Sequence, residues 1–137
     1  MPLGNVQGEF TAKILSVKQT AMGGGQVQVE INSTGESTGR MPGQTFATLV
    51  VTFGLPGRPA PCTVTGTLLA ASGAVATFSV QGMGIPTGEG HKIRLRGAVS
   101  YATDDPNLAA VNGMIAAVEA ELDPAAMTIK GAICEWK

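Results

Sequence analysis

The sequence predicts an all-β protein: an antiparallel sheet of about eight strands closed into a barrel, with at most one short helix near residues 105–112. Three observations predict it. Short alternating runs punctuated by Gly and Pro fill the chain, the pattern of antiparallel strands joined by tight turns. The stretch Gln26 to Ile31 has a clean period of two, with Val27, Val29 and Ile31 on one side and Gln26, Gln28 and Glu30 on the other. Finally, two segments near the C terminus carry opposite charges at alternate positions: Lys92, Arg94 and Arg96 in one, Glu119, Glu121 and Asp123 in the other. Antiparallel pairing would set Lys92 against Asp123, Arg94 against Glu121 and Arg96 against Glu119. Each such cross-strand pair is worth about 0.2–1 kcal/mol, so the pattern favours one register.

The elements follow in order. Glu9 to Gln19 alternates loosely, with Phe10, Ala12 and Ile14 on one side. Gly23, Gly24 and Gly25 supply a turn, because glycine reaches positive φ without penalty. Asn32 to Gly43 is rich in Ser, Thr and Gly and reads as a loop holding at best a weak edge strand. Thr45 to Phe53 is β-branched and aromatic, a strand with little polarity on either side. The three prolines between Leu55 and Pro61 rule out a sheet interior and make a loop. Cys62 to Ala71 and Ala74 to Gly82 form a hairpin about Ser72 and Gly73, and Gly84 to Gly90 is a connection. The basic strand, the acidic strand and a last strand from Met127 to Trp136 complete the chain.

Residues 105–122 admit two readings. In one, Asp105 caps a helical turn at 105–111 with Pro106 at its first position, Asn112 and Gly113 break it, and a strand runs from Met114 to Asp123. In the other, Leu108, Val111, Ile115, Val118 and Leu122 lie along one face of a continuous amphipathic helix. Only the first preserves the charge match.

Composition bounds the function. A chain of 137 residues is expected to form one domain spanning 1–137. A net charge of -1, a pI near 5.7 and 4% aromatic residues argue against a nucleic-acid partner or an anionic membrane. Charged residues make up only 14%, against about 25% in an ordinary domain. So sparse a charged exterior leaves room for burial against other copies, and a homo-oligomer is expected. Met1 to Gly8 lacks the features of a secretory signal and no apolar run is long enough to span a bilayer; a cytoplasmic protein is expected. Cys62 and Cys134 match no zinc or redox spacing and read as free thiols. With His91 as the single histidine, neither a metal nor a cofactor is indicated.

The run from Ser100 to Gly113 contains Thr103, Asp105, Pro106 and Asn112 in a T-x-D-P-x-x-x-x-x-N arrangement, followed by a strand, a turn and the closing Glu135, Trp136 and Lys137. It resembles the C-terminal end of small bacterial β-barrel proteins of a family of unknown function. The strand rhythm of the whole chain is also similar to calycin-like and allene-oxide-cyclase-like barrels. Members of the bacterial family carry an aromatic and a Leu before the Asn, where this chain has Ala110 and Val111. The resemblance implies a closed sheet and brings no catalytic residue with it.

Everything functional turns on which face of the 92–103 and 114–123 strands looks inward. With Ile93, Leu95, Val99, Val118, Leu122, Ile129 and Ile133 inside, the charges form an exposed ion-pair ladder that sets register. With the charges inside, Arg94, Arg96, Glu119, Glu121 and Tyr101 become candidates for acid–base or electrostatic catalysis, against a heavy desolvation penalty. The leading expectation is a barrel that binds a small, mostly apolar molecule in its lumen or mouth, with His91, Asn112 and Trp136 as further ligand-binding candidates. A cofactor-independent cyclase or isomerase and a structural homo-oligomer subunit are the alternatives.

Overall fold

The computed structural model describes residues 4–54 and 58–135. It is one closed barrel of eight antiparallel strands, each paired with its neighbours in chain order. The strands are β1 (Val6–Gly23), β2 (Gln26–Ser37), β3 (Gly43–Phe53), β4 (Ala60–Ala70), β5 (Val75–Pro86), β6 (Ile93–Thr103), β7 (Ile115–Asp123) and β8 (Thr128–Glu135). A short 3-10 helix, Pro106–Val111, lies between β6 and β7. Closure comes from β1 pairing with β8, from Val6 opposite Cys134 to Lys13 opposite Thr128. The second half of β1, from Leu15 to Gly23, extends past β8 and is paired with β2 alone.

The charge-matched segments do pair: Arg94 lies opposite Glu121 and Arg96 opposite Glu119. Lys92 departs from the expectation. It precedes the strand, and its Nζ lies 3.8 Å from Glu121 and 4.0 Å from Glu89 rather than against Asp123. The segment 105–122 is divided as the charge match requires, with the helix ending at Val111 and β7 extended throughout. Asp105 caps it, its carboxylate accepting from the Asn107 backbone N–H at 2.8 Å.

Several boundaries differ from the sequence reading: β1, expected over Glu9 to Gln19, runs from Val6 to Gly23, and two further differences bear on the interior. Residues 32–37, expected as loop, continue β2 in unbroken register with β3, from Asn32 opposite Thr48 to Ser37 opposite Gly43. Their alternation is Ser33, Gly35 and Ser37 inward against Asn32, Thr34 and Glu36 outward, and small polar residues on an inner face do not stand out from a polar loop. Likewise β5 runs on through Gly84 to Pro86, because its inner glycines are where the wall bends. The expected Leu55–Pro61 loop falls partly outside the described residues, as does Trp136; Arg58 and Pro59 are non-strand and β4 begins at Ala60.

Buried side chains form two separate clusters. One, with Ile14, Ile31, Leu49, Val51, Cys62, Leu95, Leu122 and Ile129 among its members, fills the end where β1 turns into β2. The other joins Met41, Leu68, Ala76 and Val111, with Tyr101, Leu108 and Met114 packed on it. It lies at the end bearing the short helix. Between them the interior is not filled.

Glycines facing inward let the wall curve. A Cβ at Gly82 would collide with the Arg96 carbonyl oxygen, and one at Gly97 would crowd the Gln81 carbonyl oxygen. These two glycines are direct cross-strand partners, so β5 and β6 fold sharply together at this point.

Candidate functional site

The unfilled interior is a cavity of about 120 Å³. Its lining is mostly apolar: Leu49, Val64, Phe78, Val99, Val118 and Ile129 are typical. Four hydroxyls interrupt it, those of Ser33 and Ser37 on β2, Thr45 on β3 and Tyr101 on β6. Strand alternation places all four on the inner face. Among the described residues, none of these side chains makes a hydrogen bond, although the outward Asn32 and Thr48 bond each other at 2.7 Å. Ser33 is only 9% exposed. None of the four oxygens is fully buried without a partner, so each stays open to a hydrogen bond from whatever occupies the cavity.

Tyr101 is held from two directions. Its ring meets Phe78 at a centroid distance of 6.3 Å and a 54° tilt, a favourable edge-inclined geometry. Phe78 in turn lies over Gly66, whose missing side chain leaves the space that the ring tip occupies. On the other side Tyr101 packs on the cluster capped by Val111. Burial pushes its phenol above the usual value of 10.0, and burial likewise raises the Cys62 thiol above 9.0. Both are neutral at physiological pH, so the cavity contains no charge from either.

The other candidates sit elsewhere. Arg94, Arg96, Glu119 and Glu121 are on the outside of the wall. Arg96 borders the cavity, but its guanidinium is turned outward, with Nε 3.6 Å from Glu119 and side chains 54% and 48% exposed. His91 is exposed in the loop between β5 and β6. Asn112 is exposed and structural in its contacts: its Oδ1 accepts from the Thr103 N–H at 2.8 Å and its Nδ2 donates to the Thr103 carbonyl at 3.0 Å. Trp136 lies outside the described residues. Among the described residues, Arg96 and Tyr101 are the sequence candidates that line the cavity, and of the two Tyr101 is the one on the inner face. Ser33, Ser37, Thr45 and Phe78 were not singled out from sequence; a period-two reading carried through 32–37 was the signal that could have found the two serines. Among the described residues no cluster of His, Cys, Asp and Glu could hold a metal ion, and no helix is long and apolar enough to cross a membrane.

Fold and site together define a closed eight-stranded antiparallel barrel with a mostly apolar, hydroxyl-bearing lumen. The chain is similar in structure to a conserved protein of unknown function from Rhodopseudomonas palustris, with a TM-score of 0.79 at 19% identity, covering 94% of this chain and 93% of that one. It is also similar to a protein of unknown function from Clostridium acetobutylicum, with a TM-score of 0.78 at 12% identity over 96% and 98% of the two chains. An enzyme from Penicillium herquei superposes with a TM-score of 0.62 at 13% identity over 98% and 97%. At such identities the likeness is one of fold. No family model matches the chain, and no curated protein matches it.

Proposed function

We propose that this protein binds a small, mostly apolar molecule inside its barrel, in the manner of calycin-like barrels. The observation that carries the reading is the cavity of about 120 Å³ whose four inward hydroxyls have no partner in the protein. A packed core would have closed over apolar residues and bonded its hydroxyls to backbone. The two buried free thiols fit a reducing cytoplasm.

Titration with benzene, followed through the methyl resonances of Ala12, Ala47 and Ala120, tests it. Those lining residues are expected to shift together and saturably, and a ligand at 100 times its Kd should add about 2.7 kcal/mol of stability. Shifts confined to the outer wall, or none at all, would refute lumen binding.

A second reading is a cofactor-independent cyclase or isomerase of allene-oxide-cyclase-like type. It is favoured by the neutral Tyr101 phenol facing an apolar lumen, and by the Penicillium herquei enzyme among proteins of this shape. Tyr101 would donate a hydrogen bond to an oxygen that gains negative charge, and the low-dielectric wall would strengthen that contact. Arg94, Arg96, Glu119 and Glu121 would contribute only to chemistry at the outer wall. Chromatography and NMR of the recovered ligand separate the readings: a binder returns it unchanged, whereas an enzyme returns an isomer of the same mass and loses that ability in Tyr101→Phe.

A further inference from the structure

The lumen has properties that narrow the ligand beyond its being small and apolar, granted the binding reading above. Its size comes first. An engineered cavity of about 150 Å³ accepts benzene, whereas pockets for drug-sized ligands run from about 300 Å³ upward. A space of about 120 Å³ is therefore on the scale of a single six-membered ring.

Charge comes second. The lining holds no ionised side chain turned inward, since Tyr101 and Cys62 are neutral and the Arg96 guanidinium is outside with Glu119. An ionic ligand would give up its hydration here and meet no counter-charge.

The third property is polarity, and it is one-sided. Thr45 is opposite Leu68, Tyr101 packs against the cluster of Met41, Leu68, Ala76 and Val111, and Ser37 is the last residue of β2 before the loop that carries Met41. These hydroxyls thus gather toward the end closed by the short helix, with Ser33 one step further in, beside Ala47. The opposite side of the cavity, lined by Leu49, Cys62, Leu95, Ala120 and Ile129, presents no hydroxyl. A hydrocarbon in this space would satisfy the apolar side and offer the four hydroxyls no hydrogen bond.

We propose that the lumen selects neutral, oxygen-bearing single-ring molecules, of the phenol and cyclic-ketone class, with the oxygen held by Tyr101 and Ser33 at the helix end and the hydrocarbon against Leu49, Leu95 and Ile129. Cyclic ketones receive a hydrogen bond from the hydroxyls; phenols both give and receive one. Tyr101 is a binding residue under this proposal, and the mostly apolar lining offers few other groups that compete for the contact.

Calorimetric titration of the full chain with benzene, phenol, cyclohexanone and cyclohexanecarboxylate tests it. Phenol and cyclohexanone are expected to bind about tenfold more tightly than benzene, the effect of about one well-made hydrogen bond. Cyclohexanecarboxylate should not bind. In Tyr101→Phe the advantage over benzene should fall to about twofold or less, and Ser33→Ala should reduce it in the same direction. Ser33→Ala also serves if the Tyr101 variant does not fold. Equal affinity for benzene and the oxygenated rings would overturn this selectivity while leaving lumen binding intact. Preference for the carboxylate would overturn it too, whereas binding of none of the four would overturn both.

Discussion

At the scale of single residues, the inner face of this barrel is governed by what small residues permit. Gly66 has no side chain where Phe78 needs its ring tip, and Phe78 sets the tilt of Tyr101. The consequence is a phenol buried in a wall of apolar groups, and burial has a sign that can be measured. A group whose folded-state pKa is raised binds its proton more tightly when folded, so its stabilising contribution is present below the unfolded pKa and is lost as pH climbs through the folded value. Cys62, raised from 9.0, and Tyr101, raised from 10.0, both act in this direction. Unfolding by urea is therefore expected to show constant stability contributions from these two groups up to about pH 8 and a progressive loss above pH 9. Cys62→Ala should remove the earlier part of that loss and Tyr101→Phe the later part. A stability that rises above pH 9 in the wild type, or variants with unchanged alkaline slopes, would contradict the assignment of both groups to the interior.

Among the elements, β6, β7 and the helix between them show what was legible in the sequence and what was not. The register of β6 against β7 could be read from Arg94, Arg96, Glu119 and Glu121 because opposite charges on matching faces constrain pairing. The end of the helix could be read because Asn112 and Gly113 break an otherwise helical period, and Gly113 indeed adopts φ 78°. The face choice could not be read from periodicity alone; the cost of burying so many charges decided it. What the pattern did not disclose is the role of Asn112. Its side-chain amide bonds both backbone groups of Thr103, pinning the helix to the end of β6 and holding Val111 over Met41 and Leu68. Asn112→Ala is expected to cost about 1–3 kcal/mol from two lost hydrogen bonds. Asn112→Asp should keep the bond from the Thr103 N–H but set a carboxylate oxygen against the Thr103 carbonyl, so it should also destabilise. Thermal melts together with hydrogen exchange at Leu108 and Val111 check this. Unchanged protection there in both variants would mean that packing alone seats the helix.

For the whole molecule, the closed sheet was foreseeable from composition and turn placement, but the lumen was not. Closure depends on β1 meeting β8, a pairing between the ends of the chain with no charge code to announce it. The hydroxyls of Ser33 and Ser37 were hidden in a stretch whose Ser, Thr and Gly content imitates a loop; only the barrel's need for inward residues on β2 reveals them. If the cavity is retained for a ligand and not as a packing fault, stability and binding should oppose each other there. Ala47 lines the cavity and lies between Ser33 and Gly66 in cross-strand register. Ala47→Val adds apolar volume to that space and suits a strand. With up to about 0.8 kcal/mol per buried methylene equivalent, the variant should melt at a higher temperature than the wild type while its affinity for benzene falls by at least tenfold, as measured by calorimetry on the same samples. Thr45→Val is the control, since it keeps the shape and removes a hydroxyl. It should leave benzene binding nearly unchanged, and cyclohexanone too, since its oxygen is held by Tyr101 and Ser33. A destabilised Ala47→Val that still binds benzene as tightly as the wild type would place the ligand somewhere other than this cavity, because a filled lumen cannot hold the same ring.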